Sequence, residues 1–105
     1  METSDDRKEF EDSIGMISNW KKRGPVYEVP FRVLYGSKVK NLITAGRNIS
    51  TSDAMWNVTR VIPVCAVTGE AAGVAAMAYD FGTLSVAKLQ KKLTDNGVKL
   101  FYQEL

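Results

Sequence analysis

The chain has 105 residues, 45% of them hydrophobic and 25% charged, with a formal net charge of +2. That is ordinary globular composition for one domain or part of one, and so small a charge gives no electrostatic footprint for nucleic acid. There is no histidine and one cysteine, Cys65, which removes the commonest general base and metal ligand, any internal disulfide and any cysteine-rich zinc site. No metal site is expected, and the single thiol suits a reducing cytoplasm.

The opening METSDDRKEF is charged and polar, unlike a signal peptide, and reads as a frayed end. Phe10, Ile14, Ile17 and Trp20 alternate with polar residues without a clean period, so this part is irregular or a short strand. Residues 1–25 are expected as an irregular segment ahead of a unit spanning 26–105, with KKRGP (21–25) as a solvated turn. Tyr27, Val29, Phe31, Val33 and Tyr35 then follow a period of two, predicting a strand over about 26–35. Pro30 cannot donate to a ladder, so the strand lies at an edge or bends there. Gly36 and Ser37 turn the chain. The apolar run NLITAG predicts a short buried strand over about 41–45, and RNISTSDAMWNVT reads as a polar irregular loop long enough to be suspected of function.

Two helices follow. The second spans about 86–96, with Ser85 as N-cap, Val86, Leu89 and Leu93 on one stripe and Asn96-Gly97 as its stop. Val98, Leu100 and Tyr102 outline a short terminal strand. The first helix, about 63–79, is unusual: it carries Gly69 and Gly73 in its interior, each costing about 1 kcal/mol against alanine. Cys65, Gly69, Ala72, Gly73 and Ala76 share one side by three-and-four spacing, all small. A backbone, another helix or a flat ligand is expected to approach there. Val67, Ala71, Val74 and Ala78 take the opposite side, so the helix is expected to be buried on most sides. The chain offers few elements to bury it, which points to a unit completed from outside or to a tightly packed small α+β domain. Glu70 and Pro63, with the weak hydrophobicity of alanine and glycine, argue against a membrane span over 61–79.

The start of this helix has two readings. With Pro63 at the first helical position, Ile62 is an N-cap without an oxygen, and the Val64 and Cys65 amides need an acceptor from elsewhere, such as a ligand carbonyl or anion. Alternatively the helix starts at Arg60 with Thr59 as N-cap.

The ordered set YEVPFRVL, VKNLITAGRNIS, RVIPVCAVTGEAAGVAA and LSVAKLQKKLTDNGV resembles the C-terminal end of FAD-dependent oxidoreductases with a glutathione-reductase-type dinucleotide fold, in the fumarate-reductase-like branch. The resemblance covers roughly 26–98, with a weaker echo in EDSIGM. It implies an α+β chain that is an incomplete C-terminal part of an FAD-binding α/β fold, with Asn41–Arg47 as the last sheet strand. It implies that Gly46, Arg47, Arg60, Val61, Pro63, Val64 and Cys65 border the cofactor. The Val64 and Cys65 amides would face the flavin C2 carbonyl and N1, stabilising the reduced anionic flavin. The small Gly69/Gly73 side would let the helix sit close to the nucleotide-binding sheet. Arg60 and Asp53 are the expected catalytic residues: Arg60 to hold a substrate carboxylate or a flavin oxygen, Asp53 to face substrate at a position where the family often has histidine. Trp56 is read as core, or with Asn57 as a shape over the flavin, and Cys65 as a packing residue.

The chain has no GxGxxG phosphate loop, so FAD binding by these residues alone is expected to be weak or absent, and the chain alone inactive. The resemblance implies a parent that passes a hydride between substrate and flavin, with the remainder of the flavoprotein or a partner subunit as its partner, and self-association through uncovered apolar surface as a further possibility. The alternative is a free-standing, non-catalytic interaction module that docks through its Gly/Ala helix face.

Overall fold

The computed structural model describes residues 1–38, 42–78 and 85–105, with Met77 and Ala78 by backbone alone. Strand β1 (Ser13–Ser18) pairs antiparallel with β2 (Val26–Pro30), in the register Met16 opposite Glu28 and Ile17 opposite Tyr27. The register shifts between Ser13 and Met16, where Gly15 takes a φ of +152° that side-chain-bearing residues disfavour. Helices α1 (Asp53–Thr59), α2 (Ile62–Ala78) and α3 (Val86–Asp95) complete an α+β fold. Helix α2 packs on β1, and α3 closes over both. The core runs through Ile14, Tyr27, Val29, Leu34, Met55, Val58, Val64, Ala75, Leu89 and Leu93.

The strand expected over 26–35 stops at Pro30, and Phe31–Leu34 forms a 3₁₀ turn. Proline ends the ladder, as its missing N–H requires. The Phe31 amide instead bonds the Asp12 carbonyl at 2.7 Å, so Phe31, Val33 and Leu34 still reach the core. Residues 42–45 are not the buried strand expected: Leu42 is 53% exposed, and the Thr44 amide bonds the Leu34 carbonyl rather than a ladder. Asn41 and Tyr79, the limits expected for that strand and for the first helix, lie outside the described residues. The polar loop is half wrong as well, since it contains α1. Ser52 caps that helix by accepting the Met55 amide at 3.4 Å, and Met55, Val58 and Thr59 supply a buried stripe. The terminal strand is replaced by a 3₁₀ turn at Tyr102–Glu104, because the Glu104 carboxylate takes the Leu100 amide at 2.9 Å.

Helix α3 is as expected at its C-terminus. The Val98 amide bonds the Leu93 carbonyl and the Gly97 amide the Thr94 carbonyl, with Gly97 at φ +90°, a Schellman ending. Ser85 has the extended N-cap backbone but makes no side-chain cap bond.

The N-terminus is not frayed. The Met1 ammonium donates to the Ser50 carbonyl at 3.0 Å, the Asp6 carboxylate takes the Val26 amide at 2.9 Å, and the Arg7 amide bonds the Val26 carbonyl. The other end is stitched to the same region. Glu28, fully buried, accepts the amides of Phe10 at 2.9 Å and Tyr102 at 3.1 Å. Ser13 Oγ donates to the Leu100 carbonyl, and Gln90 Nε2 donates to the carbonyls of Glu11 and Ser13.

Helix α2 is covered on one side, not on most sides. Val64, Thr68, Ala71 and Ala75 are buried, while Ala66, Gly69, Glu70, Gly73 and Ala76 are exposed. A Cβ placed on Gly69 or Gly73 would meet nothing within 4 Å. Its neighbours are β1, α3 and the turn at Gly46–Asn48, too few to surround it. Among the described residues no single helix is long and apolar enough to cross a membrane; α1 and α2 together have the length and composition but bend by 87° between them.

Candidate functional site

The expected site residues gather around the junction of α1 and α2. Helix α2 starts at Ile62, so Pro63 stands second in the helix and Thr59 is the last residue of α1 rather than a cap. Arg60 is the C-cap of α1, its amide bonding the Trp56 carbonyl at 3.1 Å. Because α2 begins one residue earlier than expected, the Cys65 amide finds the Val61 carbonyl at 3.2 Å. It needs no outside acceptor, contrary to the expectation. The Val64 amide has no acceptor among the described residues. Ile62 and Pro63 are exposed, Ile62 at 85%, so this positive helix end is bare. Val64 is 1% exposed as a whole residue, so its amide lies beneath the exposed Ile62 and Pro63.

The turn at Gly46–Asn48 is held against α2 by Thr68, whose Oγ1 accepts the Gly46 amide at 2.9 Å and donates to the Val64 carbonyl at 3.0 Å. Gly46 sits at φ +68°, and a Cβ there would be in ordinary contact with Cys65 Sγ at 3.6 Å. The glycine is therefore needed for its backbone angle rather than for space. Cys65 is half-buried.

Arg47 and Arg60 converge on Trp56, with guanidinium carbons 6.0 and 5.4 Å from its ring centroid. Arg60 also lies 6.0 Å from the ring of Trp20, whose Nε1 donates to the Asn57 carbonyl at 2.8 Å. Trp56 is 45% exposed and is not core. Arg60 Nε is buried with no hydrogen-bond partner, and no described carboxylate pairs with Arg47 or Arg60. Asp53 is exposed in the first turn of α1, where its charge suits the helix dipole. Arg60 is at the other end of that seven-residue helix, about 10 Å away at 1.5 Å per residue. The two expected catalytic residues are not brought together. Among the described residues no group of three metal-ligating side chains is assembled.

A family model for FAD dependent oxidoreductases matches residues 4–93. The chain belongs to the FAD dependent oxidoreductase family. No curated protein and no solved structure matches it.

The match reaches well upstream of residue 26, so this flavoprotein family includes β1 and Trp20 in its pattern. Trp20 was missed as a site residue because it stands in a stretch with no clean period, beside a basic turn. The residues present fit one end of an FAD. A bare helix N-terminus, a flexible-angle glycine and an orphaned Arg60 Nε suit a polar flavin edge. Nothing among them makes a cradle for the diphosphate, which needs backbone amides in a glycine-rich turn.

Proposed function

We propose that this chain is the C-terminal portion of a flavin-dependent oxidoreductase with a glutathione-reductase-type fold, in the fumarate-reductase-like branch. The observation that carries the reading is the bare N-terminal turn of α2. It is apolar, exposed at Ile62 and Pro63, and no described residue accepts the Val64 amide, in a chain whose family binds FAD. FAD, when bound, supplies the hydride acceptor or donor. The chain's own part is to present the Val64 amide and the helix dipole to the flavin, to hold a substrate carboxylate or flavin oxygen at Arg60, and to shape the surrounding surface with Gly46, Arg47, Val61, Pro63 and Cys65. Asp53, on its exposed helical turn, faces substrate only if another part of the enzyme covers it. The phosphate loop comes from residues outside this chain, and the exposed Gly69/Gly73 side of α2 receives them.

A second reading is favoured by that same side: a non-catalytic module that docks a partner through Gly69, Gly73 and Ala76. The size of the native polypeptide, read with an antibody to this segment, separates the two. A band several times larger than 11.6 kDa that carries bound flavin supports the oxidoreductase. A band near 11.6 kDa without flavin overturns it in favour of the module.

A further inference from the structure

We infer that Arg60, with Arg47, Trp20 and Trp56, forms a binding site for a planar carboxylate, the aryl carboxylate class above all. This deepens the reading of Arg60 given above, but its test runs on the chain without flavin, so the two fail separately.

The chain contains its own standard for comparison. Arg32 and Asp12 form a side-on pair: Arg32 Nε lies 3.2 and 3.1 Å from the two Asp12 oxygens, and Nη2 lies 2.6 Å from Oδ1. That Nε–Nη edge is the fork with which a guanidinium grips a carboxylate. In Arg60 the same Nε is buried and has no partner. An unpaired buried donor on a permanent cation is costly, and it is the kind of group a ligand satisfies. Arg47 adds a second positive charge 6.0 Å from the ring of Trp56, where Arg60 lies at 5.4 Å, and no described carboxylate neutralises either. Two cations around one indole, with no described carboxylate partner, favour an incoming anion.

The indoles select what the anion is attached to. Trp20 and Trp56 are 52% and 45% exposed, and their flat faces suit a planar apolar body behind the carboxylate. Arg60 Cζ lies 6.0 and 5.4 Å from the two indole centroids, so a carboxylate that reaches Nε changes the surroundings of both rings. Trp20 and Trp56 are the two tryptophans of the sequence, so intrinsic fluorescence reports on this site alone.

The test titrates the chain with benzoate and, separately, with inorganic phosphate, at constant ionic strength against chloride. The expected result is a saturable change in tryptophan emission with benzoate, with phosphate at least about tenfold weaker because a tetrahedral anion does not match the fork and stack. Arg60→Gln is expected to abolish the change, Arg60→Lys to weaken it about tenfold by keeping charge without the fork, and Arg47→Gln to weaken it severalfold. Circular dichroism establishes that each variant is folded, and if Arg60→Gln is not, Arg60→Lys decides. No saturable response, tighter binding of phosphate than of benzoate, or undiminished binding by Arg60→Lys overturns the proposal.

Discussion

Gly15 of β1 lies so close to Val67 of α2 that a Cβ placed on it would stand 2.7 Å from Val67 Cγ1. The contact sets how near the helix rides on the strand, and the glycine also holds a φ of +152°. Gly15→Ala is therefore expected to destabilise the fold by about 1–3 kcal/mol, through overpacking and backbone strain together. Urea unfolding measures it. Adding Val67→Ala relieves the clash but not the strain, so the double variant should recover part of the loss, and full additivity of the two losses would contradict the contact.

Thr68 joins the candidate site to the core. Its hydroxyl accepts the Gly46 amide and donates to the Val64 carbonyl, and the residue is fully buried. Thr68→Val keeps the shape and strands the Gly46 amide. The expected cost is about 1–2 kcal/mol, with faster hydrogen exchange at the Gly46 amide. Unchanged exchange there would mean that the turn is held by something else.

Glu28 is expected to be less replaceable than its single charge suggests. Both of its oxygens serve backbone amides, those of Phe10 and Tyr102. Glu28→Gln sets an NH₂ group against one of those donors and leaves it unpaired, at about 1–3 kcal/mol. The urea midpoint should fall while the helical circular dichroism of the folded state persists. A midpoint equal to that of the parent chain would show that the amides find other acceptors.

The Asp12–Arg32 pair gives stability a dependence on acid. Burial by itself raises the Asp12 carboxyl, but the hydrogen bonds and charge of Arg32 outweigh it, and the group is held below its ordinary 3.8. A depressed carboxyl contributes fully above the unfolded value of 3.8 and loses that contribution as pH falls through the lower folded value. Hydrogen bonding to Asp12 and its charge raise Arg32 above its ordinary value, so its counterpart loss falls outside the usual working range. Asp12→Asn should flatten the fall in urea midpoint between about pH 5 and pH 3. With Arg32 largely in solvent, the difference at neutral pH should be about 1 kcal/mol or less. An unaltered acid limb in the variant would assign the fall to other carboxylates.

Periodicity carried the sequence reading where apolar residues recur at a regular spacing. Leu89 and Leu93 on α3, with Gly97 behind them, and the alternation that starts β2 were legible for that reason. Helix α1 was read as loop: Ser52, Asp53 and the spacing of Met55, Val58 and Thr59 form a cap, an acidic first turn and a stripe, but the surrounding polar residues concealed them. The extended pairing expected of residues 42–45 and of the C-terminus does not form, because a strand needs a neighbour with free edge groups; the Leu34 carbonyl takes the Thr44 amide and the Glu104 carboxylate the Leu100 amide instead. The apolar makeup of α2 gave its helical state but not its covered side, which depends on what the rest of the chain has to lay against it. At the start of α2, local chemistry left two readings, at Pro63 and at Arg60, and the helix begins between them at Ile62; the approach of Trp20 to Arg60 crosses some forty residues and leaves no local mark.

The stitching of the two chain ends has a consequence for synthesis. Glu28 waits for Tyr102, Ser13 for Leu100, and the carbonyls of Glu11 and Ser13 for Gln90. As the chain is synthesised, β1 and β2 leave the ribosome before Gln90, Leu100 and Tyr102 and cannot satisfy their polar groups until those residues follow. Closing loops of that length is slow. The hairpin should therefore stay soft and exposed to chaperones and proteases until those residues have emerged, and harden only then.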